Sequence, residues 1–196
     1  MCGIFAIIGT YDEVQHNYKL LRHRGPDTSN TKSIHNVFLG FHRLKIMDTS
    51  DAANQPFDIL NTLLICNGEI YNYLDLKQKY NIETTTKNDC EIIPHLYRKI
   101  GILNTIKQLD GVFSFLLYDK KYKQFFVARD YIGVRPLFIG YHKNYIAFSS
   151  ELKAIDNICY QCKPFPPGHG MIHYEIREYF DWNIKKNVDE TQAHYS

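Results

Sequence analysis

No apolar stretch of this chain approaches the roughly 18 residues of a membrane-spanning helix, so no such span is expected. The first residues lack a basic segment and a small-residue cleavage site, and do not read as a secretory signal. Charge of one sign is not in surplus: the formal net charge is +2 and the basic residues are scattered. That argues against nucleic acid as a partner. There is no internal repeat, and no G-x-x-x-x-G-K-S/T run to cradle a phosphate. Cysteines number five, an odd count at irregular spacing, which does not suit a disulfide framework. Free thiols in a reducing cytoplasm are the simpler expectation. Cys159 and Cys162 have redox or metal spacing, but no second pair or histidine cluster accompanies them, so no metal site is expected.

What is present suits a packed domain. Of 196 residues, 44% are hydrophobic and 22% charged, enough apolar surface to bury a sizeable core. The short apolar run at residues 2–9 reads as a buried strand. Val14, Tyr18 and Leu21 fall at i, i+4 and i+7, predicting a helix over residues 12–24 with Asp12 as cap, ended by "RGPD". Strands are expected at residues 37–43 and 62–66, with a turn at Asn67–Gly68, because Asn-Gly is a strong hairpin signal. A second helical region begins near Asn88 and Asp89, where Pro94 should kink it or delay its start. From residue 111 to 151 the segments "GVFSFLLYD", "KQFFVARD", "RPLFIGYH" and "NYIAFSS" are short, aromatic-rich and separated by turn residues, the pattern of an antiparallel meander. "PFPPGHG" forms a rigid connection to a last strand near residues 171–179. Helices between two groups of strands argue a layered α+β domain over residues 2–182. Residues 183–196 are polar and aperiodic, and read as a tail or linker.

The chemistry centres on Cys2. Removing Met1 would make this residue the N-terminus. A thiolate is the nucleophile, and a cysteine thiol has an unperturbed pKa of about 8.5. The freed α-amine, with a pKa of about 7.7–8.0, would suit general-base work at neutral pH. One residue would then carry both nucleophile and base. Position alone leaves the plainer alternative open, a buried cysteine in an edge strand.

"MCGIFAIIG", "LLRHRGPD", "FHRLKIMD", "NQPF", "CNGEIYNY", "NDCEI", "LDGVFSFLLYD", "ARDYIGVRPLF", "SSELKAI" and "PFPPGHG" occur in this order. Together they resemble the glutamine-hydrolysing domain of class II, N-terminal-nucleophile amidotransferases, and "RHRGPD" followed by "NGEIYN" resembles the asparagine synthetase branch. The resemblance implies a four-layer αββα sandwich, two antiparallel sheets between helices. It implies Cys2 as nucleophile toward the side-chain amide of L-glutamine, with Asn67 and Gly68 as the oxyanion hole. It assigns Arg43 to the substrate α-carboxylate, and Asp89, with Glu69 beside it, to the α-ammonium. Arg24 and Asp27 are expected to be structural. Taken singly, Asn67–Gly68 could be a plain turn, Arg43 a solvated strand residue and Asp89 a helix cap.

The same resemblance implies a partner. Asparagine synthetases carry a second unit with a Ser-Gly-Gly-x-Asp-Ser loop that binds ATP and activates aspartate. No such loop occurs here, so no cofactor is expected within this chain, and ATP and magnesium belong to a synthetase domain in cis or in trans. The alternatives are a glutaminase domain for purine or amino-sugar synthesis and a non-catalytic glutamine-sensing module.

Overall fold

The computed structural model describes residues 1–12, 14–172 and 174–179. The expected tail at 183–196 and the domain end at 182 lie outside them. Twelve strands and three helices are found among the described residues. One sheet contains β1 (Gly3–Gly9), β2 (Thr28–Ile34), β3 (Val37–Arg43), β8 (Phe138–Tyr141), β9 (Tyr145–Ser149) and β10 (Gln161–Pro164), in the order β10-β8-β9-β1-β3-β2. The other contains β4 (Phe57–Ile59), β5 (Thr62–Ile70), β6 (Gly111–Asp119), β7 (Gln124–Arg129), β11 (His169–Ile172) and β12 (Glu175–Glu178), in the order β12-β11-β7-β6-β5-β4. Neighbouring strands pair antiparallel throughout.

The period-two geometry of β1 explains its unbroken apolar run. Ile4, Ala6 and Ile8 enter the core between the sheets, where they meet Leu39, Phe41, Leu63, Ile65 and Leu116. Phe5 and Ile7 belong to a second core with Phe38, Tyr18, Leu21 and Ile155. Both faces are covered, so alternation between polar and apolar residues disappears. The far face of the other sheet is covered in the same way. Leu64, Cys66, Phe115 and Phe126 pack with Leu76 of α2 (Tyr73–Tyr80) and with Ile92, Ile93, Leu96 and Ile106 of α3 (Ile92–Gln108). The order of layers is therefore helix, sheet, sheet, helix. Each large side chain fully buried here contributes about 1.5–3 kcal/mol.

Several local expectations are corrected. The helix expected at 12–24 is only α1 (Gln15–Lys19), followed by a 3-10 turn at Arg22–Arg24; Val14, not Asp12, stands at its start. The Tyr18 ring lies over Gly40 and stacks on His42 at 4.1 Å between centroids, and its hydroxyl, 3.1 Å from both the Asn30 and Phe41 carbonyls, shares its one hydrogen between them. Of the two effects expected of Pro94, the kink does not occur, because it occupies the first turn, where backbone N–H groups have no partner within the helix, while the α-helix does start late, at Ile92. A 3-10 turn at Asp89–Glu91 precedes it, and the break comes at Gly101, whose φ is 75°. The expected meander is split between sheets: β6 and β7 lie in one, β8 and β9 in the other. The expected last strand at 171–179 is a hairpin, β11 with β12. Among the described residues no helix is long and apolar enough to cross a membrane.

Candidate active site

Antiparallel register places the ends of four segments around one cavity. Gly3 pairs with His42 across β1 and β3, and one further step of that register sets Cys2 against Arg43. β5 ends beside them with Asn67, Gly68 and Glu69, and the turn before α3 brings Asp89. All six residues line one cavity of about 120 Å³, together with Met1, Phe41, Ile46, Met47, Gln55, Cys66, Asn88, Cys90 and Arg135.

Cys2 is half-buried, and its Sγ accepts from the Leu44 N–H at 3.4 Å. Arg24 Nε donates to the Cys2 carbonyl at 2.9 Å while its Nη1 pairs with Glu151 at 3.0 Å, which anchors the start of the chain. Burial pushes the thiol pKa up. The Leu44 N–H, the N-terminal ammonium and Arg43 pull it down without cancelling that rise. With Met1 attached the group is thus held as a thiol, and an attack by its sulfur would require a base to take the proton.

Asn67 and Gly68 do not form a turn. They lie inside β5, paired with Ser114 and Phe113 of β6. The hairpin signal lost to packing, because β5 continues through both residues against its neighbour. Gly68 is required by that packing: a Cβ there would stand 2.6 Å from the Val112 carbonyl oxygen and 2.7 Å from Phe113 Cα. The Asn67 side chain is buried, and its Nδ2 has no hydrogen-bond partner among the described residues. A buried donor left unmade is costly, and an oxyanion would satisfy it.

Arg43 is buried, and four loop acceptors already hold its guanidinium. Nη1 donates to the Ser50 carbonyl (2.8 Å) and Asn54 Oδ1 (2.7 Å), and Nη2 to the Met47 (3.3 Å) and Asp48 carbonyls. The loop after β3 is thereby wrapped around the cation. Asp48 ties it to the segment before Asp89, since its carboxylate accepts from the Lys87 N–H at 2.8 Å. Asp89 is buried and accepts from the Ile70 N–H. Burial raises its carboxyl pKa. The Ile70 N–H opposes that rise, and the charge of Glu69 adds to it. Glu69 is held by Arg135 at 2.9 Å.

Sequence reasoning missed three contributors. Gln55, part of "NQPF", clamps the strand before Asn67: Oε1 accepts from the Cys66 N–H at 2.6 Å and Nε2 donates to the Cys66 carbonyl at 3.2 Å. Cys90 lies against Cys66, and that contact, with full burial, pushes its thiol well above the usual range. Arg135, in "GVRPLF", reaches the cavity from far along the chain, and only its place in an ordered motif hinted at it.

A half-buried thiol, an unpaired amide donor and groups of both charges line one cavity, a set that can support acyl-transfer chemistry. The family comparison narrows this class: residues 1–180 match the glutamine amidotransferase domain, and the chain belongs to that family. Similar curated proteins include a probable glutamine-hydrolysing asparagine synthetase of Dictyostelium discoideum, 41% identical over 184 residues, covering 86% of this chain and 32% of the relative. Another is glutamine-hydrolysing asparagine synthetase 2 of Arabidopsis thaliana, 39% identical over 179 residues, covering 86% and 31%. This chain therefore spans about a third of the length of these relatives. Among solved structures, the glutamine phosphoribosylpyrophosphate amidotransferase of B. subtilis superimposes with a TM-score of 0.74 at 23% identity, covering 91% of this chain and 49% of that one. At that identity the likeness concerns the fold alone.

Proposed function

We propose that the chain is the glutaminase half of an asparagine synthetase, hydrolysing L-glutamine to glutamate and ammonia. The observation that carries this is the convergence of Cys2, Arg43, Asn67, Gly68, Glu69 and Asp89 on one cavity, with the Asn67 amide nitrogen unpaired. Once Met1 is removed, the α-amine of Cys2 takes the thiol proton as sulfur attacks the glutamine Cδ. The tetrahedral oxyanion is stabilised by Asn67 Nδ2 and the Gly68 N–H. Ammonia leaves with the proton carried by the amine, and a thioester remains. Water, activated by the same amine, then releases glutamate and restores the thiol. Arg43 answers the substrate α-carboxylate with its positive charge, its Nη hydrogens being held by the loop after β3. Asp89 and Glu69 answer the α-ammonium.

Met1 itself lines the cavity, and while it is attached the Cys2 nitrogen is an unbasic amide. Its removal would both free the base and clear space for substrate.

The similarity to asparagine synthetases supports aspartate as the final acceptor of the ammonia, in a synthetase unit that binds ATP and magnesium. This chain's own step needs neither. Its five free thiols support a reducing, cytoplasmic setting. The decisive experiment pairs the intact mass of the purified protein with glutamate release from glutamine. Activity should track the fraction of molecules that have lost Met1. Full activity in a preparation that retains Met1 on every molecule would overturn the mechanism.

A further inference from the structure

Arg135 has no assigned role, yet it lines the cavity with Cys2 and Asn67. Its Nη2 donates to Glu69 Oε1 at 2.9 Å; the Arg135 side chain is only 15% exposed, whereas that of Glu69 is 46% exposed. The backbone that presents it is clamped. Asp130 Oδ1 accepts from the N–H groups of Ile132 (3.1 Å), Gly133 (2.6 Å) and Val134 (3.1 Å). Arg129 donates to the Arg135 carbonyl through Nε (2.8 Å) and to the Gly133 carbonyl through Nη2 (2.6 Å). One cation is thus held in place by a loop wound around a buried carboxylate.

Glu69 needs such a partner. It is a half-exposed carboxylate near the end of β5, close enough to Asp89 for their charges to interact. Two unscreened carboxylates would repel, swing apart or take up a proton. A guanidinium fixed on Glu69 offsets that repulsion and holds its carboxylate at the cavity.

We propose that Arg135 is a positioning residue for glutamine binding, acting through Glu69 to set the geometry of the pair that receives the substrate α-ammonium. This rests on the reading that Glu69 takes part in that recognition.

The test is a double-mutant cycle on the full chain, following glutamate release with Arg135→Met, Glu69→Gln, the double variant and Arg135→Lys. Arg135→Met should raise KM for glutamine roughly tenfold, the scale of one charge-assisted hydrogen bond, and leave kcat within about twofold. In the Glu69→Gln background it should add little, since its target is gone. Arg135→Lys should recover most of the lost KM, because an ammonium can still pair with Glu69. An unchanged KM in Arg135→Met, or effects that multiply in the double variant, would overturn the proposal while leaving the role of Glu69 intact. Equal loss of kcat and melting temperature in both Arg135 variants would mark a merely structural residue and also overturn it. An unchanged KM in Glu69→Gln would instead remove the reading beneath it.

Discussion

Asn67 and Ser114 face each other across β5 and β6, and each keeps a buried polar atom, Nδ2 and Oγ respectively, without a hydrogen-bond partner among the described residues. Folding does not use these groups. An amide donor left idle on the cavity that Cys2 also lines would be available, in the proposed reaction, to a charge that exists only in the transition state. Asn67→Ala should therefore lower kcat by roughly 10²–10³ and change KM little. Its stability in denaturant should stay close to that of the parent, because the amide nitrogen has no folded-state bond to lose. Steady-state kinetics and chemical unfolding check the two halves, and a large stability loss with normal kcat would refute the assignment.

Gly68 makes the opposite kind of demand. Its space is set by backbone atoms of β6, which cannot rotate away. Gly68→Ala should destabilise the chain by about 1–3 kcal/mol through overpacking. It should also lower kcat, since moving β5 moves Asn67. Denaturant midpoints at constant m-value would measure the first effect, and a midpoint equal to that of the parent would show that the strands part easily there.

These two residues show where the sequence was legible and where it was not. The alternating partners of β1 and the apolar faces of β6 were readable, because burial of both sheet faces leaves a one-dimensional trace. Residues 67 and 68 were misread as a local turn, since Asn-Gly is a strong local signal and the pairing that overrides it involves β6, more than 40 residues away. α2 was missed; it has a single fully buried apolar residue, Leu76, and so a weak periodic signal. For the site, the ordered motifs pointed to six residues that the fold brings to one cavity. Arg135 and Gln55 were not found. Their roles depend on Glu69 and on the Cys66 backbone, partners distant in sequence that no spacing rule connects to them.

Asp89 links binding to stability. Its carboxyl pKa is raised by burial and by Glu69. The folded state therefore holds the proton more tightly than the unfolded chain does. Its contribution to stability is fully present below the ordinary carboxylate pKa and is lost as pH rises through the higher folded value. At neutral pH the ion is present at a cost. Asp89→Asn should raise the melting temperature at pH 7, and that gain should fade in acid. The same change should raise KM for glutamine at least about tenfold, since a neutral amide cannot pair with an ammonium. In the parent, glutamine affinity should fall with acid at a pH above the usual carboxylate range. Calorimetry across pH and KM profiles test both statements, and a variant less stable at pH 7 than in acid, relative to the parent, would contradict the sign.

The last prediction concerns the proton on Cys2. Burial pushes the Cys2 thiol up, and in the proposed reaction the amine of the same residue takes its proton. Cys2→Ala should abolish hydrolysis and leave glutamine binding nearly intact, because Arg43, Glu69 and Asp89 remain. A ligand at 100 times its Kd should still stabilise this variant by about 2.7 kcal/mol. In the parent, kcat/KM should rise with pH as the amine loses its proton near its ordinary pKa of about 7.7–8.0. A variant that retains Met1 should be inactive at every pH, since an amide nitrogen cannot accept the proton at any of them. Turnover in that variant with the same basic limb would mean that some other group takes the proton, and the terminal amine would lose its place in the reaction.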